Sequence, residues 1–514
     1  MPPEPGRSNP VPEPGRPECP QRVVSWWTAL LRLQTTEPRR LMSLARTAPD
    51  HPVLSVEDAA GQWTVHTAGE LYERVAATAG HALAAGLEPG RHTLVALPNG
   101  EGLVRAVLAS WMLGCTPVIV PPGATEPERR ALFAGPGPVA EEAFSWSGAE
   151  LAAALEPDAS RPVFSPRGLE PGITWYLPTG GTTGLPALFP VTPRPSTALT
   201  GARRLMRSSG WSPGAVQLSI GPLTHAAPLM MCMAGIGGGA HVVMPRRLDP
   251  VSLRSAIERF APTWCQLTPH QMALIDANQG LWDALCRSLT GMLHTSAPCP
   301  QEVKRRWIAR LGGDRVHETY SSTQAVGTTI CDGDEWLAHP GTVGRPFLSN
   351  QVLIADGEGR PLPPGAVGEV FMRSEWTEVS AGDGPRRLRG DDGDFLGIGD
   401  LGYTDDDGYL YLTGRLDDIV LVGGANVSTR EVEGVLLTHP GVSEAVVVTR
   451  PDPLLGDVLH AVVVPSGPGD PPDAEGVREH CRGRLSPYKI PLTVDVVEAL
   501  PRSHSGKVER FLRT

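Results

Sequence analysis

No two cysteines in this chain stand close enough to form a C-x-x-C pair. The eight, Cys19, Cys115, Cys232, Cys265, Cys286, Cys299, Cys331 and Cys481, are scattered singly through 514 residues. That pattern suits neither a secreted disulfide scaffold nor a zinc cluster, so they read as reduced thiols of a cytoplasmic protein, with no metal ligands assigned. A basic stripe is also missing: the net charge of −11 comes from interspersed acids and bases, which excludes an electrostatic nucleic-acid footprint. No apolar run reaches membrane length without interruption. The nearest, Ala226 to Pro245, holds four glycines within five residues and ends in the strand-like "HVVM". A buried helix, a turn and a strand are expected there, not a membrane span. The absence of a G-x-S-x-G elbow removes a serine-hydrolase reading. The first residues, "MPPEPGRSNPVPEPGRPECP", lack the apolar core of a signal peptide. Proline at that density predicts a disordered arm over residues 1–20.

What is present is enough for a large core. The chain is 41% hydrophobic and longer than one compact domain usually runs, so two or more domains are expected. "HTLVALPNGEGLVRAVLASWMLGCTPVIVPP" reads as strand, helix and strand, with Leu103, Val104, Val107, Leu108, Trp111 and Met112 on one helical stripe. The alternation returns at "AHVVMP", "VSLRSAIERF" and "PTWCQLTP", and at "PQEVKRRWIARLGG" leading into "RVHETYSST". An α/β architecture follows. The last hundred residues differ. "NVSTREVEGVLLTHPG" opens with a capping box, Ser428 to Glu431, and leads to short strands at "EAVVV" and "HAVVVP", so a small α+β domain is expected.

The stretch "YLPTGGTTGLPALFP", Tyr176 to Pro190, carries the first chemical signal. Consecutive glycines let backbone N–H groups approach phosphate oxygens, and Thr179, Thr182 and Thr183 add hydroxyl donors. It is not a Walker loop, which needs Gly-Lys-Ser/Thr. Taken alone, it is equally a plain turn between strands.

Its company favours the phosphate reading. The loop resembles the T-[SG]-G-[ST]-T-G-x-P-K signature of the adenylate-forming enzymes: acyl-CoA synthetases, peptide-synthetase adenylation domains and luciferases. "PLTHAAP", "HTSAPCP", "HETYSSTQ", "GTVGRP", "GIGDLGYTDDDGYLYLTGRLDD", "VLVGGANVSTREVE" and "LPRSHSGKVER" resemble the rest of that pattern in its order. The wording is most similar to the bile-acid-CoA-ligase-like branch. The resemblance implies a two-domain α/β fold, with a large N-terminal acyl- and AMP-binding domain over residues 21–416 and a small mobile α+β lid over 417–514. It also implies roles. Thr179, Gly180, Gly181, Thr182, Thr183 and Gly184 would hold phosphate. Tyr320 would stack on adenine, with Ser296 and Ala297 on the other face, Glu318 near the base edge, and Thr319 and Ser321 in the same AMP-binding segment. Asp400 would accept both ribose hydroxyls beside Arg415, a role that suits a carboxylate. Asp417 would be the hinge, and Gly423 and Gly424 would leave room for the pantetheine arm of CoA. Lys507 would bridge substrate carboxylate and α-phosphate, and Thr323 would join it in catalysis. His225 would stand at the mouth of an acyl pocket completed by Gln324 and Ala325, although a satisfied interior histidine is an equal reading of that residue alone.

Two positions depart from the family's pattern. Ala187 replaces the lysine that closes the phosphate loop, and Gln324 replaces the glutamate that holds Mg²⁺. Both losses concern adenylation, which must neutralise and release pyrophosphate. Thioesterification of an acyl-AMP by CoA has no pyrophosphate to handle. The expected function is therefore acyl-CoA ligase chemistry biased to its second half, on a bulky hydrophobic carboxylic acid, with a separate adenylating ligase as a possible supplier. This is similar to the non-adenylating ligases of platensimycin-type antibiotic biosynthesis. A complete two-step ATP-dependent synthetase, an adenylate- or CoA-binding pseudoenzyme and a carrier-loading adenylation domain stay open as alternatives, and Mg²⁺ stays open with them.

Overall fold

A computed structural model of the chain describes residues 36–122, 124, 132–133, 144–154, 171–180, 186–191, 195–322, 326–374, 386–390, 393–416, 419–422, 425–452, 456–467, 472–482, 484–502 and 508. The expected arm, 1–20, lies outside them. A nine-stranded sheet runs in the order Arg345–Pro346, Thr328–Asp332, Val316–Ser321, Gly291–His294, Trp264–Leu267, Val216–Leu218, His241–Met244, Pro52–Glu57, Trp63–Thr67. Its central strands are parallel. Those strands are buried, as a parallel sheet covered by crossover helices requires.

The strand His92–Val95, helix Glu101–Met112 and strand Thr116–Ile119 form the expected parallel unit. They belong to a second sheet, ordered Phe144–Trp146, His92–Val95, Thr116–Ile119, Trp175–Gly180, Pro186–Val191. The expected stripe is corrected in one respect: every residue from Leu103 to Met112 is buried, not one face alone. Helices Glu37–Thr47 and Ala68–Ala84 pack against helix Glu101–Met112. Helix Ala226–Gly237 and strand His241–Met244 appear where the glycine-interrupted apolar run stands. Among the described residues, no helix is long and apolar enough to cross a membrane. The seven described cysteines are free thiols.

A third sheet carries Gln351–Ala355, Gly368–Arg373, Phe395–Thr404 and Arg386–Leu388, with Leu410–Arg415 paired to Phe395–Thr404. Farther on, Val442–Asp452, Gly456–Pro465 and Thr493–Val496 form a sheet whose core includes Val427, Val432, Leu436, Val447, Val477 and Cys481. This is the expected small α+β unit with a core of its own. Its first two strands run 11 and 10 residues, longer than the sequence suggested. The capping box is half formed. Ser428 accepts from the Glu431 N–H at 3.3 Å, while the Glu431 carboxylate is taken by Lys489 at 2.7 Å.

One buried contact joins the N-terminal helix to the large unit. Arg203 donates to both carboxylate oxygens of Glu37, at 3.0 and 2.9 Å, with both side chains buried. Burial pushes the Glu37 carboxyl up and the Arg203 guanidinium pulls it back. Gly237 makes room for this pair: a Cβ there would lie 1.9 Å from Glu37 Oε2. Removing one member of a buried pair strands the other's charge, at a cost of about 3–5 kcal/mol. Arg40 stands 3.5 Å from the same carboxylate and compensates part of its charge, so Arg203→Met is expected to lower the urea unfolding free energy by up to about 3–5 kcal/mol. A loss under about 1 kcal/mol would show that the pair does not anchor the helix.

Candidate functional site

In open α/β sheets, loops at the carboxyl ends of parallel strands form ligand crevices. Here that edge gathers the segments after Val216–Leu218, Gly291–His294 and Val316–Ser321. They lead to His225, to Ser296 and Ala297, and to Tyr320 and Ser321, so residues far apart in sequence come to one edge.

Tyr320 ends its strand partly buried, and its phenol donates to Asp400 Oδ2 at 2.5 Å. Asp400 lies opposite Arg415 in the antiparallel register of the third sheet, and Arg415 Nε stands 3.3 Å from its Oδ1. Arg415 also donates to the Ile398 carbonyl at 3.0 Å. Gly399, at φ +82°, supplies the left-handed turn beside Asp400 that a side chain would strain. An ionised carboxylate has about four lone-pair positions, so Asp400 keeps acceptor capacity after these two contacts. Burial raises the Tyr320 pKa, the Asp400 charge raises it further, and Arg415 opposes both. The phenol therefore stays a donor at neutral pH.

The opposite segment runs through Thr295–Pro300 into helix Gln301–Leu311. Ser296 and Ala297 are exposed, and Ser296 holds φ +82°, a conformation that costs a non-glycine residue about 1–3 kcal/mol unless its surroundings impose it. Three members of the expected AMP-binding set turn elsewhere. The Glu318 carboxylate, expected near the base edge, is bound by buried Lys304. Thr319 donates to the Thr329 carbonyl at 2.7 Å, and Ser321 to the Gly327 carbonyl at 2.8 Å, so both hydroxyls close the hairpin. These side chains are drawn by nearer partners that sequence spacing did not reveal.

The phosphate stretch is a hairpin. Trp175–Gly180 pairs antiparallel with Pro186–Val191, setting Thr179 opposite Ala187 and Gly180 opposite Pro186. Gly181, Thr182, Thr183 and Gly184 lie outside the described residues. So do Thr323, Gln324, Ala325, Asp417, Gly423, Gly424 and Lys507. His225 caps the N-terminus of helix Ala226–Gly237 through its backbone, and Leu229 N–H donates to its carbonyl at 3.1 Å.

Two residues with a place at this edge escaped the sequence reading. Asn99 donates to the Gly221 carbonyl at 2.9 Å and accepts from the Leu223 N–H at 2.8 Å, clamping the loop that leads to His225. Its Asn-Gly context signalled only a turn. Ser322 Oγ is buried with no hydrogen-bond partner among the described residues. Its position inside the "TYSSTQ" motif was the available signal. Among the described residues, no group of three or more His, Cys, Asp or Glu could hold a metal ion.

The model of the AMP-binding enzyme family matches residues 43–140 and 147–379, and that of the AMP-binding enzyme C-terminal domain matches 431–507. A sulfoacetate–CoA ligase of Cupriavidus necator is 32% identical over 463 residues, covering 83% of this chain and 88% of that protein. A feruloyl-CoA synthase of an Amycolatopsis species is 29% identical over 465 residues, covering 87% and 92%. The solved structure of o-succinylbenzoate CoA synthetase from Bacillus subtilis with its acyl-adenylate intermediate superposes with a TM-score of 0.74 at 24% identity, covering 92% of this chain and 97% of that one. That last likeness speaks to the fold.

The Tyr320–Asp400 contact has a measurable signature. A hydrogen bond to a charged group contributes about 1.5–3 kcal/mol, so Tyr320→Phe is expected to lower unfolding free energy within that range. The phenol's folded pKa is raised above 10.0, so its contribution is complete below that value and is lost only as pH rises through the folded pKa. The difference between wild type and variant should stay constant from about pH 7 to 9. A difference that vanishes by the upper pH would mean that the phenol ionises far earlier than this environment dictates.

Proposed function

Since the chain belongs to the AMP-binding enzymes, the adenylate-forming superfamily, we propose that it is an acyl-CoA ligase working chiefly in the second half-reaction. The CoA thiolate attacks the carbonyl carbon of an acyl-adenylate, the new C–S bond forms, and the C–O bond to AMP breaks. Support for ligase chemistry comes from relatives that are CoA ligases over most of both chains. The bias rests on Ala187. It stands in register with Thr179 at the closing end of the phosphate hairpin, where a mobile cation would serve departing pyrophosphate, and it brings no charge there.

In this reading Tyr320 and Asp400 hold adenine and ribose, Arg415 faces Asp400 at 3.3 Å, and His225 stands at the acyl side. The large domain runs over 21–416, and Asp417 is the hinge about which a lid over 417–514 turns to present Gly423 and Gly424 to the pantetheine arm. Lys507 and Thr323 meet the carboxylate and α-phosphate. Adenylation would also call on Mg²⁺. The donor chemistry fits that ion poorly: Gln324 brings a neutral amide to a motif position where a hard cation favours a carboxylate. No step is routed through the metal. The small apolar sequence after Gln324, "AVGTTI", favours a bulky, mostly hydrocarbon acid, and a separate adenylating ligase would supply its adenylate.

Losing one charged contact costs about 1.5–3 kcal/mol, or roughly ten- to a hundredfold in rate. The enzyme is therefore expected to form thioester readily from synthetic acyl-AMP and CoA, and poorly from the matching acid with ATP, Mg²⁺ and CoA. Pyrophosphate release should rise in Gln324→Glu and Ala187→Lys, most of all in the double variant. Wild-type release as fast as thioesterification, with an acid whose adenylate is a substrate, would leave an ordinary two-step synthetase instead.

A further inference from the structure

The two segments expected to face a nucleobase are tied together behind the site. Lys304, on helix Gln301–Leu311, donates to Glu318 on strand Val316–Ser321, and their side chains are only 1% and 9% exposed. Two residues beyond Glu318 the strand reaches Tyr320. The helix starts immediately after the loop that carries Ser296 and Ala297. The link therefore spans from the segment below one wall of the slot to the segment below the other.

The surroundings give Lys304 no competing carboxylate among the described contacts. Its ammonium stands 4.8 Å from the Trp336 ring, which it shares with the Arg305 guanidinium at 5.6 Å. Burial keeps the Cys299 and Cys331 thiols protonated, each pushed up to about 12. His294 is fully buried with neither ring nitrogen partnered among the described residues, and burial together with the Lys304 charge holds it neutral. Burial raises the Glu318 carboxyl and Lys304 draws it back toward ionisation. A buried ion pair is a poor stabiliser compared with well-packed apolar residues of equal volume. What the pair does supply is a directed, short link of fixed length. Ser296 needs such a constraint, since its left-handed backbone persists only where the surroundings impose it.

The geometry points to Lys304 and Glu318 as positioning residues that set the width of the nucleobase slot without touching the nucleotide. This rests on the reading of the Tyr320 and Ser296 segments as nucleotide walls. A link of fixed length between those walls would determine how well a planar base fits, and so how sharply adenine is preferred over other bases.

The test compares full-length wild type with two double variants, measuring AMP, IMP and GMP binding by calorimetry and thermal unfolding in parallel. Lys304→Met with Glu318→Met replaces the pair by apolar side chains, which should leave the unfolding temperature near wild type yet weaken AMP binding about tenfold and narrow its preference over IMP and GMP. Lys304→Gln with Glu318→Gln keeps a hydrogen-bonded link without charge and should retain AMP binding within about threefold. A purely structural pair would move stability alone. Unchanged AMP affinity and base preference in the Met variant would overturn the inference, as would a Gln variant, folded like wild type, that loses as much affinity as the Met variant. Should the Met variant fail to fold, Lys304→Gln with Glu318→Ala, which breaks the link without leaving a buried charge, takes its place with the same expected and overturning outcomes. Failure of wild type to bind AMP at all would instead sink the nucleotide-site reading, and this inference with it.

Discussion

Asp400 must accept from a phenol and face a guanidinium at the same time, and this double demand is what the candidate site depends on. Tyr320 belongs to the nine-stranded sheet, whereas Asp400 and Arg415 face each other on adjacent strands of the third. A carboxylate that close to both can sit only where the two sheets are held at one separation. The constraint works in each direction: the pairing of Asp400 with Arg415 aims the carboxylate, and the carboxylate fixes the ring of Tyr320. Lys304 and Glu318 act on the same strand from the interior side. Strand Val316–Ser321 is thus held at two alternate residues, Glu318 and Tyr320, by charge-assisted contacts.

Much of this was legible in sequence because short-range patterns carry it. The Glu101–Met112 helix announced itself by its apolar spacing, and the helix-turn-strand from Ala226 by its glycines. What was not legible depends on partners distant in the chain. Ser110 is buried where Thr93 and Trp146 of the second sheet meet its hydroxyl, and Arg105 where it donates to the Leu151 carbonyl, partners that no local pattern places there. The Ser428–Glu431 box looked complete until Lys489, 58 residues on, took the carboxylate. Glu318 makes the same point at the site: its motif spacing is that of the family, but a lysine one helix away decides where its charge goes. Asn99 could be read as a turn residue, and its clamp on a loop 122 residues later could not.

The arrangement also bears on how one half of a two-step reaction could weaken while the other persists. Ala187 lies in the second sheet, in the return arm of the phosphate hairpin. The contacts of Tyr320, Asp400 and Arg415 are made by the first and third sheets. A substitution at the hairpin's closing end therefore touches none of the described contacts among Tyr320, Asp400 and Arg415. The hairpin of strands Val316–Ser321 and Thr328–Asp332 is closed by Thr319 on the Thr329 carbonyl and Ser321 on the Gly327 carbonyl. Because sites without shared partners contribute nearly additively, loss of distal-phosphate chemistry need not propagate to adenylate recognition. The sheet division keeps the position of Ala187 apart from the Tyr320, Asp400 and Arg415 contacts, so a change at one need not disturb the other.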